Sequence, residues 1–226
     1  MTAAVPDLST LPGTHLEAMA EAAGRVQECR RVLAKTGATV VSEILKDQGA
    51  FVPWDHYPAG DVYDRDSGAQ YYFHAHPPED RANAWGAEQG HFHSFLRPEG
   101  LAGPATHLIA LSMNGCGDPV RLFTTNAWVT GEAWRPAEEV IGLLDRFTVD
   151  QALPSWPVNV WLTNMLRLFR PGIEDLLRRR DAALADWQRK HGQDRAAALA
   201  DHGLEVTSIL EIDVDRQAAA VTAALR

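Results

Sequence analysis

Two short segments carry paired histidines. QYYFHAHP sets His74 and His76 two residues apart, and GHFHSFLR does the same with His91 and His93. In an extended strand, residues i and i+2 leave the same face, so each pair aims two imidazoles in one direction. Two such strands side by side would gather four imidazoles over one patch of sheet. Neutral imidazole is the commonest protein metal ligand, so His74, His76, His91 and His93 form a candidate ligand pool. His107, which opens the next apolar run, and Glu88, just before the second pair, extend it. Three imidazoles with an open position make a catalytic zinc centre, and four closed ligands a structural one. Two imidazoles with one carboxylate and open positions favour iron and oxygen chemistry. A donor set of this kind points to iron or zinc rather than to magnesium. His56 sits in an irregular segment that can fold over such a site.

Other residues offer weaker chemistry. Arg97 has the parity of His91 and His93 along its strand, and a guanidinium beside a metal would clamp a carboxylate or phosphate. Glu88 and Arg97 are therefore the candidate catalytic side chains. Arg121 enters a later strand. For either arginine an ion pair with one of the many acids is the plainer role. Asp55, Asp61, Asp64 and Asp66 lack EF-hand spacing and read as turn formers, although one of them can partner an imidazole or act as a general base. Ser94 and Ser112 have no nucleophile-elbow context. Cys116 lies in a glycine turn with no neighbouring base. Arg178, Arg179 and Arg180 have acidic neighbours and no interleaved aromatics, which reads as a solvated helix face.

The elements that must position the histidines follow from periodicity. Residues 1–13 read as a flexible arm, and residues 14–226 as a single domain. A helix is expected from Thr14 to Lys35, with Thr14 and Glu17 as a capping box. ATVVSEIL fits helix or strand. From Phe51 the chain turns rich in Pro, Gly and Asp and reads as irregular. Strands are then expected at Gln70–His76, His91–Arg97, Thr106–Met113 and Pro119–Val129. A polar connection spans Pro77–Gly90, and a hairpin loop spans Asn114–Asp118. After these the period becomes helical, with one helix from Pro136, one from Pro157 and one over Ile173–Lys190. LEVTSILEIDVD can add a strand, and the Ala-rich end a short helix. Helices, strands, then helices imply an α+β fold, a mainly antiparallel sheet of about four strands packed by N-terminal and C-terminal helices.

The segments QYYFHAHP, GHFHSFLRP, HLIALSMN, RLFTTNAWVTGE and PSWPVN resemble an uncharacterised bacterial family carried as a domain of unknown function. The likeness runs over roughly Phe51 to Asp181 and implies no activity, substrate or site residues.

Composition narrows the function classes. A hydrophobic share of 46% supports a real core, and a formal charge of −9 disfavours nucleic acid and anionic membranes as partners. No stretch approaches the ~20 apolar residues of a membrane span. Two cysteines without a C-x-x-C make no disulfide framework, and no leader pattern opens the chain, so a cytoplasmic setting is expected. The expected function is a metal-dependent enzyme, an oxidoreductase or hydrolase, acting on a small molecule. Oxygenase-type chemistry is slightly favoured by analogy with cupin-type sites, which also use His-x-His. The alternative is a non-catalytic ligand- or partner-binding protein whose histidines are structural, held by stacking in a sheet rich in Tyr71, Tyr72, Phe73, Phe92 and Phe95. A homodimer is compatible with either. Everything depends on register, because a one-residue slip would turn one pair to the opposite face.

Overall fold

Aromatic and β-branched residues dominate the middle of the chain, and they pair there into one antiparallel sheet. A computed structural model describes residues 7–77 and 88–226. Its strands are β1 (Tyr57–Tyr63), β2 (Ala69–His74), β3 (Glu88–Leu96), β4 (Thr106–Asn114), β5 (Pro119–Thr125) and β6 (Val206–Glu211). The sheet has six strands in the order β1-β2-β3-β4-β5-β6, not the expected four. The two additions are its edges. β1 lies in the segment read as irregular, because YPAGDVY contains Pro58 and Gly60. An edge strand tolerates both, since one side of its backbone needs no partner. Its pairing with β2 shifts between Tyr57 and Val62, and Gly60 and Asp61 there adopt φ of 85° and 61°, the signature of a bulge. β6 is the strand that LEVTSILEIDVD offered as an option.

The helices, the long ones packed on one face, are α1 (Gly13–Ala34), α2 (Val40–Leu45), α3 (Ala127–Thr130), α4 (Ala137–Leu143), α5 (Trp156–Leu168), α6 (Arg170–His191), α7 (Arg195–Leu199) and α8 (Val214–Ala224). Val26, Trp161, Leu162, Ile173 and Leu176 from the helices join Tyr71, Phe73, Phe92, Leu111 and Leu122 from the strands in one buried cluster. Each such side chain contributes about 1.5–3 kcal/mol through the apolar surface it removes from water.

Several expected boundaries move. α1 begins at Gly13 with Pro12 as N-cap and no side-chain cap, so the Thr14/Glu17 box does not form. The box appears instead at α2, between Thr39 and Ser42, which makes ATVVSEIL a helix. The helix expected from Pro157 stops at Leu168, and Pro171 sits in the first turn of the next helix, α6, where its missing N–H costs nothing. β5 stops at Thr125, and residues as far as Thr130 form α3. Asn126 caps that turn. Within the expected arm, residues 8–10 form a 3-10 turn, and Leu8 belongs to the core. Residues 1–6 of the arm, and residues 78–87 of the connection before β3, lie outside the described residues.

Two polar joints tie the layers. The buried Tyr71 hydroxyl donates to Asn159 Oδ1 on α5 (2.5 Å). Asn159 Nδ2 donates to the carbonyls of Gln151 and Leu153 at 2.8 and 3.0 Å. Asn159→Ala would take the partner from the buried Tyr71 hydroxyl and from the Gln151 carbonyl, while the Leu153 carbonyl keeps the Gln151 side chain as donor; a polar group left buried and unpaired carries a desolvation cost. We expect a loss of about 2–4 kcal/mol, read from the urea midpoint at unchanged m-value. At the second joint, Glu132 Oε2 accepts the His107 backbone N–H (2.7 Å), while Oε1 has no partner among the described residues. Burial pushes this carboxyl up from 4.5 to about 7, against the His107 hydrogen bond and the Arg180 charge. The unfolded chain therefore releases the proton earlier than the folded one. The contribution of Glu132 to stability is fullest below pH 4.5, falls as pH rises toward 7 and is level above it. Glu132→Gln should remove about 1–3 kcal/mol of that decline, measured as the wild-type-minus-variant difference in unfolding free energy at pH 5 and pH 8.

Candidate metal centre

Register decides whether the imidazoles meet. β2 and β3 pair with His74 opposite His91, Tyr72 opposite His93 and Phe73 opposite Phe92. Phe73 and Phe92 point into the helical core, so His74, His91 and His93 share the opposite face. Gly90 pins this register. A Cβ there would lie 2.5 Å from the Phe73 ring and 2.7 Å from the His74 carbonyl, so only glycine lets the strands close. His76 lies past the end of β2, where the segment before β1 holds it. The Trp54 backbone N–H donates to the Ala75 carbonyl (2.9 Å), and the Trp54 ring packs on His76 with centroids 4.1 Å apart.

The four histidines divide three to one. Ligand nitrogens of His74, His76 and His91 all lie within 4.8 Å of one another. Among the described residues, this is the group of histidines, cysteines and acids that could hold a metal ion. His74 Nε2 lies 2.6 Å from His91 Nε2. His91 Nδ1 lies 2.7 Å from Glu88 Oε1. A carboxylate only accepts, so the His91 proton sits on Nδ1 and its Nε2 presents a lone pair. His74 Nε2 is then the donor within the imidazole pair. Burial, then the neighbouring imidazoles, lower His74 to about 2, which keeps it neutral and able to coordinate. Burial alone would raise Glu88, but the hydrogen bond and charge of His91, with Ser112 and Arg121, hold it below its usual value. Glu88 is thus an ionised partner of a ligand, not one of the grouped ligands.

His93 and His107 are brought together elsewhere. His93 Nδ1 lies 3.1 Å from His107 Nε2, and both rings are buried. Burial lowers His93 well below its ordinary value and lowers His107 to about 3. They form a second neutral pair behind the trio. Arg97 is turned away from the trio. Its Nε donates to Gln70 Oε1 (2.6 Å), and a terminal nitrogen donates to the Gly103 carbonyl.

From Arg97 a chain of contacts leads back to the site. Gln70 Nε2 donates to Asp61 Oδ2 (2.6 Å), and Asp61 Oδ1 lies 2.9 Å from His56 Nδ1. The β1 bulge at Gly60–Asp61 lies beside this contact. The His56 ring lies flat on Tyr72, with centroids 3.5 Å apart and planes 9° from parallel. With Nδ1 committed to Asp61, His56 keeps Nε2 for a ligand. Of the four clustered aspartates, Asp64 is the turn former, accepting the N–H groups of Asp66 and Ser67 at 3.0 and 2.9 Å. Asp61 is the imidazole partner, a contact that no local motif announces because Gln70 on the neighbouring strand completes it.

A cavity of about 600 Å³ lies before the trio. His56, Tyr72 and Trp54 line one side, and Phe123, Thr125, Trp128 and Glu205 the other. Trp128 falls near the end of the strand expected over Pro119–Val129, and Thr125 and Glu205, which no motif marks in the sequence, come to the site through the pairing of β5 with β6. Three grouped imidazoles, one backed by a carboxylate and open to a cavity, could hold a metal ion and leave it a free coordination position.

No curated protein and no solved structure matches the chain. No helix among the described residues is long and apolar enough to cross a membrane. The model of one family, described as a domain of unknown function (DUF6969), matches residues 20–212, and with most of its length so matched the chain belongs to that family.

Proposed function

We propose that this protein is a metal-dependent enzyme acting on a small molecule, with His74, His76 and His91 as the metal ligands. The grouping of their nitrogens at the floor of a cavity carries this reading. The donor set fits zinc best. Three imidazoles hold it, and the carboxylate stands outside them as the partner of His91, a pattern that orients ligands in zinc enzymes. An oxygenase-type iron centre with a carboxylate ligand has less support, since Glu88 would have to leave His91. A bound zinc supplies Lewis acidity and lowers the pKa of water. The chain's own residues supply the rest. Glu88 fixes the His91 tautomer, His56 accepts a proton at Nε2 while Asp61 steadies the imidazolium that results, and the aromatic walls exclude bulk water.

One observation favours a second reading. Tetrahedral ligands of zinc stand about 3.3 Å apart at Zn–N of about 2.0–2.1 Å, whereas His74 and His91 approach to 2.6 Å. A shared proton satisfies both rings without an ion, as it would in a non-catalytic binding protein whose histidines are structural.

Metal analysis separates the two. Purified protein incubated with zinc and desalted should retain one equivalent. Retention should be lost in His74→Ala and His91→Ala and kept in His93→Gln, and affinity should fall about 10–100-fold in Glu88→Gln. A wild-type protein that takes up neither zinc nor ferrous iron would sink the enzyme reading. With an activated aryl ester as surrogate substrate, Asp61→Asn should lower turnover by about tenfold or more at unchanged zinc content. Equal turnover would remove His56 from the proposed chemistry.

A further inference from the structure

The cavity has a second end. Thr125 pairs with Val206 where β5 runs out and β6 begins, and the Asn126 N–H donates to the Glu205 carbonyl (2.8 Å). Trp128 is locked beside them. Its Nε1–H donates to the Leu204 carbonyl (2.9 Å), and its ring stacks on His202 with centroids 4.0 Å apart. Thr125 is 1% exposed, and its hydroxyl has no partner among the described residues. Glu205 is exposed and is the one carboxylate among the described residues lining the cavity, where neither lysine nor arginine occurs. Further back along β5, the Arg121 guanidinium is held by Glu211 at 2.7 Å. Among the described residues, an anionic group at this end would meet a carboxylate and no cation. A cationic group would meet a carboxylate, an indole and an unused hydroxyl acceptor, the surroundings that attract ammonium ions. The net charge of −9 adds a field of the same sign. From β3, which bears His91, to β5, which bears Thr125, is two strand spacings, and the register through Ser112 and Arg121 puts Thr125 four residues further along than the level of His91, so the two backbones stand about 16 Å apart.

We propose that the cavity binds an elongated ammonium compound, its cationic end held by Glu205, Trp128 and Thr125 and an oxygen function about 16 Å away directed at the histidine trio. The oxygen end rests on the metal-centre reading; the ammonium end does not. Two calorimetric arms keep them distinct. On zinc-loaded protein, 12-aminododecanohydroxamate is compared with dodecanohydroxamate and with the monohydroxamate of dodecanedioic acid, which share a metal-binding head and differ in the tail. On metal-free protein, hexylammonium is compared with hexanoate. In both arms the ammonium compound should bind about tenfold tighter than its counterparts. Glu205→Gln, at an exposed position, should close the gap while leaving the far-UV circular dichroism unchanged, and Thr125→Val should narrow it. If zinc is not retained but hexylammonium is still preferred through Glu205, the ammonium site stands and the metal reading falls. Equal or tighter binding of the anionic tail, a preference indifferent to Glu205→Gln, or no binding of any probe in the metal-free arm would overturn the proposal.

Discussion

The pairing of β2 with β3 is the constraint on which the site depends. It sets Phe73 against Phe92 toward the helices and His74 against His91 toward the cavity. Both outcomes are one event, because alternate residues of a strand leave opposite faces. The apolar face enforces the polar one. A slip of one residue would drive imidazoles into the space around Trp161 and turn phenyl rings outward, a loss of several buried side chains. The Phe73 ring seated over Gly90 removes the remaining freedom.

Burial and hydrogen bonding then assign roles to chemically identical rings. Removal from water keeps His74, His93 and His107 neutral, as coordination or lone-pair donation requires. Carboxylates complete the assignment. Glu88 takes Nδ1 of His91 and Asp61 takes Nδ1 of His56, so in both cases Nε2 is left for the cavity. His93 lacks a carboxylate and instead faces His107. Six histidines clustered in the sequence thus become a trio, a pair and a single oriented base.

Much of this was legible in the sequence where the physics is local. The His-x-His spacing and the flanking aromatics marked β2 and β3, and parity within each strand gave the face. The i, i+3, i+4 run from Val158 to Phe169 marked α5. What escaped was set by distant partners. β1 was hidden because Pro58 and Gly60 argue against a strand unless it lies at an edge. The separation of His93 from His91 depends on the β4 bulge that brings His107 opposite Phe95. Glu88 was weighed as a ligand because its distance from His91 Nδ1 cannot be read from a spacing of three residues. Thr125 and Glu205 came together only through a strand that begins some eighty residues after β5 ends.

The two faces of the sheet differ in what holds them. Helices and a continuous apolar cluster lie on one, and rings, loops and hydrogen-bonded acids on the other. Folding free energy is therefore concentrated on the side away from the cavity. Chains that share this scaffold can exchange exposed wall residues such as Trp54 and Glu205 at modest cost in stability. Descent and chemistry are uncoupled in such an architecture: common ancestry would pass on the platform, while each lineage would have to be read at its own cavity.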